Sequence, residues 1–140
     1  MLPPEIVSCK QLEELDISYN QLASLEDLTE LPNLKSLVAK SNLILESSLP
    51  PEIFHPDFNV LDLQANKLRA MPQGLENATG LLVLNLAWNQ INEIEPSTFV
   101  NLCDLIHLGK TDKLYYKRCR CNKSNGVFRL ILEEMGNFSD

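Results

Sequence analysis

One eleven-residue pattern, L-x-x-L-x-L-x-x-N-x-L, returns four times along the chain and restricts what it can fold into more than any other feature. The copies run Leu12 to Leu22, Leu34 to Ile44, Phe58 to Leu68 and Leu81 to Ile91, with first positions 22, 24 and 23 residues apart. A period of this length means stacked units, none of which can bury its apolar face alone. Within L-x-L the apolar residues alternate with period two, so they share one face of a short strand and send the residues between them to the other. The ninth position, Asn20, Asn42, Asn66 and Asn89, stands where the chain turns off the strand. A buried amide there can bond backbone groups of its own and adjoining coils that would otherwise go unpaired. These four residues read as a structural ladder, not as chemistry.

With these repeats the chain resembles the leucine-rich repeat family over about residues 2–113. The resemblance implies an α/β fold: a right-handed solenoid with a curved parallel sheet on its concave face, 3₁₀ or irregular turns on its convex face, and a C-terminal helical cap. It also implies a protein-binding module, an adaptor, scaffold or recognition domain with neither cofactor nor catalysis. The first full repeat, through Leu25, Leu28 and Leu31, looks like the 22-residue class that carries a turn of 3₁₀ helix. Its longer partners are expected to carry looser or more helical turns, and the second holds a two-residue insertion within Leu45 to Ser48 that belongs on the surface.

A fifth copy begins at Leu105 and Leu108 but puts Lys110 in the third apolar slot and Lys113 where Asn belongs, so the ladder is expected to stop there. Residues 1–113 are thus read as about five coils and 114–140 as a capping region, with a helix near 127–135 drawn from Val127, Phe128, Ile131, Leu132 and Met135. Residues 2–11 look like the return half of a repeat without its strand. That suggests a chain cut from a longer protein, an edge that pairs with another molecule, or a minimal cap.

Composition narrows the function. Of 140 residues 26 are Leu and 13 are Asn, the surpluses that a layered core and an amide ladder require. No apolar run reaches the 18 or so residues of a bilayer crossing, so no membrane insertion is expected. The net charge of −7 argues against nucleic acid, which needs a basic surface. Residues 1–109 carry 5 Lys/Arg against 15 Asp/Glu, whereas 110–140 carry 7 against 4.

The first residues, Met1 to Glu5, lack the basic and apolar regions of a secretory signal, and the four cysteines are read as reduced and the protein as cytoplasmic. Cys9 falls three residues before Leu12, a slot filled elsewhere by buried apolar residues, so it is expected in the core. Cys119-Arg-Cys121 resembles the disulfide-bonded flank of extracellular members, which implies the alternative of a receptor or adhesion fragment. That flank normally has two further cysteines, and 122–140 contain none. Asn77, Asn122 and Asn137 each head a glycosylation sequon. Cys103 and His107 lack a third orienting group for nucleophilic catalysis, and Cys119, Cys121 and His107 lack a fourth zinc ligand. His55, in a connecting turn, is expected to face solvent. A last alternative makes the chain the substrate-recognition domain of a larger enzyme.

Function is therefore expected on the residues between the leucines, which a parallel sheet brings side by side about 5 Å apart. One row is Glu14, Ser36, Val60, Val83 and His107; the next is Asp16, Val38, Asp62, Asn85 and Gly109. Beyond them lie Ser18 and Tyr19, Lys40 and Ser41, Gln64 and Ala65, Ala87 and Trp88. From these rows the candidate partner-binding residues are Glu14, Asp16, Tyr19, Val38, Lys40, Val60, Asp62, Gln64, Val83, Asn85, Trp88 and His107. The face reads as acidic at its N-terminal end and apolar across the valines, with an aromatic at each flank.

Overall fold

The computed structural model describes residues 1–91, Leu102 and the backbone of 107–109. Five strands form one parallel sheet in sequence order: β1 (Glu14–Asp16), β2 (Ser36–Val38), β3 (Val60–Asp62), β4 (Val83–Asn85) and β5 (His107–Gly109). Each strand pairs with its sequence neighbours, and the register aligns Leu15, Leu37, Leu61, Leu84 and Leu108 in one row. The ladder continues past the strands. Tyr19 N–H donates to Lys40 at 2.8 Å, Ser41 to Gln64 at 2.9 Å and Ala65 to Ala87 at 2.8 Å.

The inward leucines of this sheet meet a second apolar layer supplied by the returning segments. Leu37, Leu61 and Leu84 are fully buried against Leu25, Leu28, Leu75 and Ala78, with Phe58 equally buried between coils. At the N-terminal coil, where nothing stacks on the outer side among the described residues, Leu12, Leu15 and Ile17 are only half-buried.

Every described return is a 3₁₀ segment: Pro4–Ser8, Glu26–Glu30, Glu46–Ser48, Pro51–Ile53 and Leu75–Asn77. Of the looser or more helical turns expected in the longer repeats, the looser form is the one present. The five-residue segment Glu26–Glu30 belongs to the 22-residue repeat, and the 24-residue one carries two pieces of three residues. Pro50 and Pro51 explain the break, because each lacks the N–H that would join those pieces. The insertion does lie on the surface, with Leu45 and Ser47 exposed, and Glu46 Oε2 accepts the Arg69 N–H of the next coil at 2.9 Å.

The asparagines join successive coils. Asn66 Oδ1 accepts the Ile44 N–H of the preceding coil at 3.1 Å, while its Nδ2 donates to Ala39 O of that coil at 2.9 Å and to Leu63 O of its own at 3.0 Å. Asn42 bonds Leu22 N–H, Ile17 O and Ala39 O in the same way, and Asn89 bonds Leu68 N–H, Leu63 O and Leu86 O. Asn20 keeps only the local bonds, to Ile17 O and Ser18 O, and is exposed.

Two residues depart from expectation in one register slot, three positions before each repeat's first residue. Leu31, Ala78 and Leu102 are buried there, but Cys9 is exposed and free, with no described coil on its outer side. His55 occupies the same slot and is half-buried, not solvent-facing. Its Nδ1 accepts the Asp57 N–H at 3.2 Å, which leaves Nε2 to donate to Leu34 O at 2.9 Å. The helix anticipated at 127–135, the boundary at 113, Cys103, Cys119 and Cys121 lie outside the described residues.

Asn66→Ala should cost about 2–4 kcal/mol, since it strands a buried N–H and buried carbonyls. Asn20→Ala, with no bonds to a preceding coil to lose, should cost under about 1 kcal/mol. Urea unfolding of both variants checks this; equal costs would show that the inter-coil bonds are not what stabilises the stack.

Candidate functional site

The sheet's register places both outward rows as spacing predicted. Glu14 pairs with Ser36, Ser36 with Val60, Val60 with Val83 and Val83 with His107; Asp16, Val38, Asp62, Asn85 and Gly109 follow in the second row. Val38, Val60 and Val83 are half-buried, and Glu14 and Asp16 are exposed. For His107 only the backbone position is described.

Polar bonds lace these rows across the coils. Asp16 Oδ1 accepts the Ser18 N–H at 3.0 Å, Asp62 Oδ1 the Gln64 N–H at 3.2 Å, and Asn85 Oδ1 the Ala87 N–H at 3.1 Å. Each short side chain thus caps an amide at the point where its strand ends. The second coil has Val38 at this register, and there the Lys40 N–H is taken by Ser18 Oγ of the first coil at 3.1 Å. Lys40 Nζ lies 3.4 Å from Asp62 Oδ2, and Asn85 Nδ2 donates to Gln64 Oε1 at 3.1 Å. Asp62 is accordingly 9% exposed, with most of its charge facing Lys40.

The aromatic pair is set by the backbone. Tyr19, Ser41, Ala65 and Trp88, each preceding a ladder Asn, have φ of 59°, 53°, 57° and 57°. This left-handed region is uncommon for residues other than glycine. Trp88 is 62% exposed and Tyr19 78%, at opposite ends of one row and on the order of 14 Å apart by strand spacing. Between Tyr19 and the sheet lies a hollow of about 450 Å³ lined by Asp16, Ser18, Tyr19, Val38 and Lys40. Ser18, absent from the sequence-based candidates, is part of its lining and bonds the Lys40 N–H. The signal for such a role is an Asp or Asn at one register in three of four repeats, two residues before an amide that needs a partner.

Chemically, this face offers two exposed carboxylates, a valine strip, one paired lysine and two projecting aromatics. Among the described residues no three His, Cys, Asp or Glu side chains gather in a way that could hold a metal ion. No helix among them is long and apolar enough to cross a membrane.

A family profile described as Leucine Rich Repeat matches residues 11–34 and 80–102. The flightless-1 homolog of Mus musculus is 44% identical over 73 residues, which is 51% of this chain and 6% of that protein. Among solved structures, an internalin from Listeria monocytogenes superposes with a TM-score of 0.65 at 21% identity, covering 76% of this chain and 31% of its own. The crystal structure of the LRIM1/APL1C complex gives 0.67 at 24%, covering 76% and 21%. The chain therefore spans only a small part of these relatives. At such identities the structural likeness establishes the fold.

Asp16 provides a titratable check. The Ser18 hydroxyl first and the Ser18 N–H second hold its carboxyl below the ordinary 3.8, against a smaller upward pull from burial and with a slight further pull down from Lys40. The associated stabilisation is present above the ordinary value and is lost as pH falls through the lowered one. An NMR titration should place the Asp16 midpoint below 3.8, and Ser18→Ala should raise it. An unmoved midpoint in that variant would exclude the Ser18 hydroxyl as the leading cause, since alanine keeps the N–H.

Proposed function

Since this chain belongs to the leucine-rich repeat family, we propose that it binds a partner protein through the concave sheet face and performs no chemistry of its own. Leucine-rich repeat proteins generally mediate protein–protein interaction. The observation that carries the reading for this face is the exposure of Trp88 and Tyr19 on a row fixed by the turn geometry of the four coils whose turns are described. Trp and Tyr supply large contact area at little entropic cost and dominate interface energetics.

Charge gives the partner's chemistry. With Glu14 and Asp16 exposed at the N-terminal end and Val38, Val60 and Val83 behind them, the face fits a segment carrying basic and apolar side chains. The same binding, used as an adaptor, scaffold or recognition domain in the cytoplasm, keeps all four cysteines reduced. The exposure of Asn77 within its sequon favours a second reading, that of an extracellular fragment using the same face. Thiol titration of unreduced protein separates the two: four free thiols support the first and sink the second.

Trp88→Ala should weaken partner capture while changing unfolding free energy by less than about 0.5 kcal/mol, as for a surface side chain. Asp62 is a poor position for charge reversal because it holds Lys40 and caps Gln64. Glu14→Lys combined with Trp88→Ala is the better probe in a pull-down. Undiminished capture by that double variant would rule out the concave face.

A further inference from the structure

The returning segments of the second and third coils flank a separate open hollow of about 710 Å³, lined by Pro51, Glu52, Phe54, His55, Pro56, Glu76, Asn77 and Thr79. None of these residues belongs to the concave rows. Its walls are held in place from several sides. Gly74 sits at φ +87°, and a Cβ there would stand 2.8 Å from Pro51 Cβ; a Cβ on Gly80 would run into the Pro56 carbonyl oxygen. The third coil therefore presses directly on both prolines, and only glycine permits it. The Phe54 ring meets Phe58 edge-on at 5.5 Å, and the His55 ring is fixed by its bond to Leu34 O. A lining that is already rigid loses little entropy when a ligand settles on it.

The electrostatics of this hollow point to a cation. Glu52 and Glu76 are both exposed, and neither has a cationic group within 4.0 Å among the described residues. The described ion pairs engage Lys10 with Glu30, Lys35 with Glu13 and Lys40 with Asp62, leaving these two carboxylates unbalanced. A chain of net charge −7 also draws cations toward its clefts. The wall between the carboxylates is apolar, however, and a small hydrated ion gains nothing from proline and phenylalanine.

We propose that this hollow binds an arginine side chain of a partner protein, with the guanidinium directed to Glu52 and Glu76 and the methylene stem against Pro51 and Pro56. Arginine fits better than lysine because its planar, weakly hydrated head tolerates an apolar wall and donates five hydrogens in a fork. The Asn77 amide and Thr79 hydroxyl supply oxygens for those the carboxylates leave unbonded. This surface is independent of the concave face, so one can fail without the other.

The test is an NMR titration of the isotope-labelled whole chain with acetyl-Ala-Arg-Ala-amide, run beside the peptide in which uncharged citrulline replaces arginine. The expected result is saturable shifts confined to amides around Phe54, His55, Glu76 and Asn77, absent with citrulline. The Glu52→Gln/Glu76→Gln variant should bind about fivefold more weakly or worse, and Glu14→Lys should bind as the parent does. No saturable shift, the same shifts with citrulline, unchanged affinity in the double glutamine variant, or equal weakening by Glu14→Lys would each overturn the proposal.

Discussion

A strand that ends inside a stack leaves backbone N–H and C=O groups turned toward the core, and the side-chain amide of asparagine satisfies both kinds at once. That bond set governs the rest of the molecule. Asn42, Asn66 and Asn89 each accept from one N–H of the preceding coil and donate to carbonyls on both coils. A carboxylate in this position has no hydrogen to donate, and a serine hydroxyl has only one, too few for carbonyls on both coils. Because the amide must point inward, the residue before it adopts the left-handed turn, and because the bonds recur at a constant offset, the strands stack in register. The outward rows are therefore a by-product of how backbone polarity is satisfied indoors.

The polar residues on the concave face have two employers. Asp62 reads in sequence as a free surface charge, yet it caps the Gln64 amide and neutralises Lys40. Asp16 is exposed but shares its carboxylate with the Ser18 amide. What is left for a partner is Glu14, the remaining field of Asp16, the valine strip and the aromatics. The face is consequently less charged than a count of its acids implies.

Much of this was legible in the sequence because spacing alone fixes register. The rows through Glu14 and Asp16, the burial of Leu37 and Leu61, the ladder and the exposure of Trp88 all follow from an eleven-residue pattern repeated at 22 to 24. Cys9 was misplaced because a slot average ignores position along the stack, and an inward slot in the first described coil has one neighbour instead of two. His55 was misplaced because a polar residue in a connecting turn carries no sign that Leu34 O lies 2.9 Å from its ring. The left-handed turns had no glycine to announce them, and the prolines that divide the second return act by removing donors, which periodicity does not register.

The row of left-handed residues has a consequence for how such a protein changes over time. Tyr19, Ser41, Ala65 and Trp88 share one backbone geometry within a few degrees although their side chains run from a methyl group to an indole. None is the glycine that geometry prefers, and each carries a conformational cost of about 1 kcal/mol in consequence. That cost comes from the backbone and the Cβ, so it is similar among side chains unbranched at Cβ, while β-branched residues and proline are disfavoured. Exchange among unbranched side chains at these four sites is then close to neutral for folding while altering what the face displays. The solenoid separates the positions that keep it standing from those that lineage drift can rewrite, and a new preference for partners needs no compensating repair elsewhere.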